Sequence, residues 1–277
     1  MKKIKIVDKS FSHCKYSNNP LPPTSFSKYI EWDRKVSDVE ELVFYTDGDI
    51  LKPISGHRKK IAWLLEPYVK QPNIYEWILQ NNKLYDYVLT NEKKLLDRGE
   101  NFIYYPFGGC WIDKKDRTIE HEKTKLVSIV ASAKKNVPDH FKRHEIISKY
   151  GNIIDVMGRG YKPLDKIVDG LKDYMFNFSM ENQTRDYHFS EKIINPIMVG
   201  TVPIYYGCGS ISKYFDTRGM VIFKEVSEVQ DILKEIGSKM YNGMLPYIKE
   251  NFKIAHQYIL SEDWMYENKV LKEIGVV

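Results

Sequence analysis

The chain has 277 residues with 43% hydrophobic and 29% charged side chains, a length that suits two domains better than one core and a balance that excludes a disordered or fibrous protein. No apolar run approaches the roughly 20 residues that span a bilayer, and the start MKKIKIVDKSF has no apolar core or small-residue cleavage site, so a cytoplasmic protein with no integral membrane segment is expected. The formal charge of +5 favours an anionic partner, but the lysines come as scattered pairs (Lys59-Lys60, Lys93-Lys94, Lys114-Lys115, Lys134-Lys135) and not as one tract, which argues against nucleic acid.

In chain order, short apolar runs alternate with longer amphipathic ones, the pattern of βα units around a mainly parallel sheet. Strands are expected at Ile4-Val7, Glu41-Thr46, Ile61-Glu66, Tyr85-Thr90 and Asn101-Tyr105, with helices at Asn73-Gln80 and Glu92-Arg98. The polar segment Phe107-Thr124, FGGCWIDKKDRTIEHEKT, is the expected crossing between domains. The rhythm then restarts with strand Lys125-Ser132, helix Asp139-Tyr150, strand Asn152-Met157, a short helix at Leu164-Leu171 and strand Tyr174-Ser179. Helix Phe189-Val199, strand Val202-Tyr206, a short helix at Ile211-Phe215, strand Met220-Phe223 and helix Val226-Ile236 follow. From Tyr247 to Glu273 two helices are expected, since Ile248, Phe252, Ala255 and Ile259 recur at helical spacing.

The fold class predicted is therefore α/β, with two Rossmann-like domains facing an interdomain cleft. Residues 1-120 form the first domain, 121-245 the second, and 246-277 are C-terminal helices packing back across the domains. Cys14, Cys110 and Cys208 are far apart and show no paired spacing, so neither a disulfide framework nor a zinc site is indicated. Asp47-Gly48-Asp49 is the one Asp-x-Asp; it follows a strand directly and reads as a strand-end turn in preference to a metal bridge.

One polar run, SMENQTRDYHFSEK from Ser179 to Lys192, lies between two apolar segments. At the carboxyl end of a strand it leads into a helix whose free N–H groups and partial positive charge suit a phosphate. Ser190 is placed to cap that helix and Lys192 adds a full charge. Glu191 and Asn182 suit paired hydroxyls, and His188 can hydrogen-bond or carry charge. A solvated loop with no function is the alternative.

The stretch ENQTRDYHFSEKIINPIMVGTVPIYYG resembles the donor-binding signature of family 10 glycosyltransferases, the α-1,3/1,4-fucosyltransferases: Glu181, Asn182, Glu191, Lys192, Val202, Pro203 and Gly207 match in order and spacing. The likeness extends upstream through Arg143 and VDV-like IIDVMGR, and downstream to EDWMYENKVL. In the first half IAWLLEPYVKQPN places Glu66 where the family carries an acceptor-side carboxylate. His188, with Tyr187 before it, stands where the family has Tyr, and Ser190 where it has Thr.

The resemblance implies a GT-B fold and an inverting transfer of L-fucose from GDP-fucose to a hydroxyl of a glycan or glycoconjugate acceptor. Glu66 would be the general base, and Arg143, Glu181, Asn182, Tyr187, His188, Glu191 and Lys192 would bind the donor, with no obligatory metal or cofactor. The alternatives are a glycosyltransferase using another nucleotide-sugar and a catalytically silent glycan-binding protein.

Overall fold

The computed structural model describes residues 1–18, 25–99 and 101–277, and its strands sort into two all-parallel sheets. The first unit carries β1 (Lys2–Val7), β2 (Ile30–Asp33), β3 (Leu42–Thr46), β4 (Lys59–Trp63) and, after α1 (Pro72–Asn81), β5 (Tyr87–Thr90), α2 (Lys93–Leu96) and β6 (Phe102–Tyr104), in the sheet order β2-β1-β3-β4-β5-β6. The period of two in these strands serves both faces. Ile4, Ile6, Trp32, Phe44, Ile61, Trp63 and Leu89 fill one core, while Val43, Tyr45, Ala62, Leu64 and Val88 fill another with Ile74, Tyr75 and Ile78 of α1.

The second unit carries β7 (Lys125–Val130), α3 (Pro138–Tyr150), β8 (Asp155–Met157), β9 (Tyr174–Met180), α4 (Glu191–Ile197), β10 (Val202–Tyr206), β11 (Val221–Ile222), α5 (Val229–Glu235) and α6 (Ser238–Ala255), with the sheet order β11-β10-β9-β7-β8. Val127, Ile129, Phe176, Phe178, Val202 and Ile204 pack there with Ile146 of α3 and Tyr241, Met244 and Ile248 of α6.

Contacts divide the chain into Met1–Gly109, Asp186–His188 and Tyr258–Val277 as one unit and Cys110–Arg185 with Phe189–Gln257 as the other. The sequence reading put the division after residue 120. Residues 110 to 120 go with the second unit because the Trp111 amide donates to Asn195 Oδ1 (2.7 Å) and Lys166 pairs with Asp113 (2.7 Å). The tail, with α7 (Ser261–Glu267) and α8 (Val270–Glu273), belongs to the first unit. Its Met265, Leu271 and Ile274 complete the first core.

Besides ends shifted by a few residues, three departures from expectation have a local cause. β2 was not foreseen because its four residues bury only Ile30 and Trp32. β4 ends at Trp63 and not at Glu66. α6 begins nine residues before Tyr247, for the helix runs through Gly243 and Pro246, residues that ordinarily punctuate a helix.

Glu262 of α7 ties the tail down. Fully buried, it accepts from the Ser17 amide (2.8 Å), Ser17 Oγ (3.0 Å) and Trp32 Nε1 (3.0 Å). Glu262→Ala orphans all three donors and is expected to cost about 2–4 kcal/mol, with Glu262→Gln milder because an acceptor remains. Urea unfolding followed by tryptophan fluorescence reads the difference.

Candidate active site

At the carboxyl end of the second sheet, β9 delivers Glu181 one residue past the strand, its amide bonded to the Tyr206 carbonyl (2.9 Å). The Glu181 carboxylate is 2% exposed and accepts from the Ser190 amide on Oε1 (2.8 Å) and Ser190 Oγ on Oε2 (2.7 Å). Ser190 Oγ in turn accepts from the Lys192 amide (3.4 Å), which caps α4 and explains why the helix starts at Glu191. Lys192 Nζ lies 3.0 Å from Glu191 Oε1, 3.2 Å from Ser190 Oγ and 3.8 Å from Glu181 Oε2. Burial pushes the Glu181 carboxyl above the ordinary value against the pull of Lys192. Burial also opposes the Lys192 ammonium, yet the Glu191 and Glu181 charges outweigh it and raise its pKa.

Gly207 makes this arrangement possible. A Cβ there would lie 2.4 Å from Glu181 Cγ and 2.7 Å from Tyr205 Oη. Gly207→Ala therefore forces a buried carboxylate to move and is expected to destabilise by about 1–3 kcal/mol, read as a fall in melting temperature.

Helix α3 supplies the next wall. His140, Arg143 and Ile146 recur every three residues and are its buried face. His140 Nε2 bonds Asn182 Oδ1 (2.9 Å). Asp139 Oδ2 accepts from the Thr184 amide (2.9 Å), so the loop after β9 is pinned to α3, and Lys142 Nζ meets the Tyr206 hydroxyl (2.5 Å) at the end of β10. Arg143 is 6% exposed, its Nε is fully buried, and it has no hydrogen-bond or ion-pair partner among the described residues. Burial pushes its pKa down, and its charge also opposes that of Lys192. Glu181, Glu191, Lys192, Asn182 and Arg143 thus share one unit, and the first three are within 4 Å of one another's charged atoms through Lys192.

Two expected donor residues are placed otherwise. Tyr187 and His188 group with the first unit, where Tyr187 packs edge-on to Tyr104 (6.1 Å) and His188 against Phe107 (5.8 Å). Tyr187 has φ +61, a left-handed conformation that breaks the run in two. The phosphate cradle expected of α4 is also reduced, because the helix has seven residues and the Lys192 and Ile193 amides are taken by Ser190. His140 was not singled out in the sequence; its place three residues before Arg143 was the available signal.

In the first unit, Glu66 lies in the loop after β4, its side chain 40% exposed and paired with Lys70 (2.6 Å). Its carbonyl accepts from Tyr75 Oη (2.8 Å). The Leu65 and Glu66 amides both donate to Asp47 Oδ1, at 2.8 and 3.2 Å. Asp49 Oδ2 accepts from the Lys9 amide (2.9 Å), so the two acids of the Asp-x-Asp serve different partners. Among the described residues no group of three or more His, Cys, Asp or Glu side chains is arranged to hold a metal.

Asp47 is 1% exposed, and burial, against the pull of its hydrogen bonds, pushes its pKa up to about 6. A raised carboxyl pKa means that stability is full below the unfolded value near 4 and is lost as pH climbs through about 6. Asp47→Asn removes that loss, so its unfolding free energy is expected to gain on the parent by about 1–3 kcal/mol between pH 4 and pH 7, measured by denaturant titration at each pH.

Among the described residues no helix is long and apolar enough to cross a membrane. The family model "Glycosyltransferase family 10 (fucosyltransferase) C-term" matches residues 120–264. A protein of Acanthamoeba polyphaga mimivirus, provisionally named a fucosyltransferase, is 19% identical over 245 residues, 77% of this chain and 40% of that protein. The alpha-(1,3)-fucosyltransferase FucT of Helicobacter pylori is 29% identical over 133 residues, 47% of this chain and 26% of that protein. The chain thus spans well under half the length of these curated relatives. An alpha1,3-fucosyltransferase crystallised with GDP superposes with a TM-score of 0.55 at 17% identity, covering 93% of this chain and 90% of the other, so the two α/β units have the GT-B fold. With more than half of its length matched by that family model, the chain belongs to glycosyltransferase family 10, the fucosyltransferase family.

Proposed function

We propose that the protein transfers L-fucose from GDP-fucose to a hydroxyl of a glycan or glycoconjugate acceptor, with inversion, a glutamate base and no obligatory metal. The observation that carries the donor half is Arg143, a buried guanidinium with no acceptor among the described residues, whose charge also opposes that of Lys192. A buried cation without a counter-charge costs several kcal/mol, and a diphosphate supplies the missing acceptor with the two-pronged geometry that a guanidinium matches. The GDP of the solved relative belongs to the same chemical class.

In this reading Glu66 takes the proton of the acceptor hydroxyl as its oxygen attacks the anomeric carbon from the face opposite GDP. The bond from that carbon to the diphosphate oxygen breaks and its electron pair leaves with GDP. Arg143 and Lys192 stabilise the charge that grows on the leaving oxygen while the sugar is oxocarbenium-like, the service a metal ion gives in other transferases. Asn182, held by His140 through its Oδ1, turns its amide N–H groups to the donor, and Glu191 accepts from donor hydroxyls. Glu181 works through Ser190 and Lys192 and not by direct contact, since Ser190 occupies both its oxygens.

Thermal-shift screening against GDP- and UDP-sugars reads the donor class, and stabilisation by UDP-sugars alone would replace the donor named here. Arg143→Ala and Lys192→Ala are each expected to weaken GDP binding about tenfold or more in calorimetry. Glu66→Gln should bind GDP as the parent does and lose transfer. Activity is expected to survive EDTA; a complete loss rescued by one divalent ion would sink the metal-free scheme.

A further inference from the structure

We infer that Asp47 is the positioning residue of Glu66, fixing the loop that presents the base; the inference rests on Glu66 being that base. β3 and β4 pair in register up to Thr46 opposite Trp63, and Leu64 still donates to the Leu89 carbonyl (3.0 Å). Beyond Leu64 no strand receives the chain, and the next two amides are those of Leu65 and Glu66. Loop amides at a sheet end normally turn to water. Here both turn to one oxygen, Asp47 Oδ1.

The construction is costly, which is why it points beyond packing. Asp47 sits at φ +40, where a non-glycine residue costs on the order of 1–3 kcal/mol, and its carboxylate is held inside the protein at 1% exposure. Glycine would relieve the backbone but would leave the two amides without their acceptor. On its other side Glu66 is held by Tyr75 Oη at its carbonyl. Both peptide groups of Glu66 are therefore fixed, and the carboxylate keeps only its own rotamers and the pairing with Lys70. A general base must lie within hydrogen-bond reach of the proton it takes, and a displacement near 1 Å is worth about 100-fold in rate.

The test measures GDP release from GDP-fucose across a panel of oligosaccharide acceptors, with GDP affinity by calorimetry, for Asp47→Gly, Asp47→Asn, Glu66→Gln and the double variant Asp47→Gly/Glu66→Gln. Asp47→Gly suits the positive φ and removes the acceptor. It is expected to lower kcat about tenfold or more while GDP affinity stays within about twofold. Asp47→Asn keeps an oxygen for the two amides and is expected to restore kcat to within about threefold. In the double variant GDP affinity is expected to stay within about twofold of the parent, as it does in Glu66→Gln alone.

Full kcat in Asp47→Gly beside a dead Glu66→Gln overturns the positioning role alone. Lost GDP affinity in Asp47→Gly or in the double variant overturns it equally, because either marks general structural damage. Undiminished transfer by Glu66→Gln removes the base itself, and the positioning role falls with it.

Discussion

A carboxylate sealed at the end of β9 is the constraint on which the second unit's site depends. Glu181 is fully inside the protein, and an uncompensated charge there would be expelled or neutralised. Compensation comes from ten residues further along the chain, Ser190 with two hydrogen bonds and Lys192 with its charge. Those contacts close the loop on itself, set the first residue of α4 and bring Lys192 to the sheet edge. Space for the carboxylate exists because β10 is followed by glycine at 207. The run from Ser179 to Lys192 is thus not simply a solvated loop, for it buries a glutamate that its own serine and lysine compensate.

The strands were legible because each unit buries both faces of its sheet, which produces apolar runs that flank polar turns. Legibility failed where tertiary contacts override local preference. β2 has too few residues to carry a period, and α6 passes through Gly243 and Pro246 because Tyr241, Met244 and Ile248 pack on one side of the second core. That Glu181, Asn182, Glu191 and Lys192 lie together at the end of one sheet was legible, since a strand end and a helix start fix their separation. The isolation of Arg143 was not, because lacking a partner is a property of the whole neighbourhood. Nor was the grouping of Tyr187 and His188 with the first unit, which follows from a left-handed residue in the middle of the run and from rings distant in sequence.

Asp47 and Asp49 show how one pattern supports different chemistry. Two acids one residue apart after a strand suit a divalent ion when both carboxylates turn to the same side with free oxygens. In this chain the left-handed Asp47 turns its Oδ1 to the next strand's loop while Asp49 takes the Lys9 amide. Backbone amides take one oxygen of each acid. The distinction rests on φ at a single residue, which no spacing rule records.

The charged groups at the carboxyl end of the second sheet are balanced in number. Glu181 and Glu191 offset Lys192 and Arg143, so the four groups together are neutral and a diphosphate would leave the cluster negative. Lys192 is already satisfied by its glutamates, whereas Arg143 is not, so an anion placed there would find the guanidinium the more available partner. Glu181 supplies the remaining adjustment: its carboxyl is already held above the ordinary range by burial, and a nearby anion pushes it further the same way. The glutamate that organises the loop therefore also responds, through its raised carboxyl, to any negative charge placed beside it.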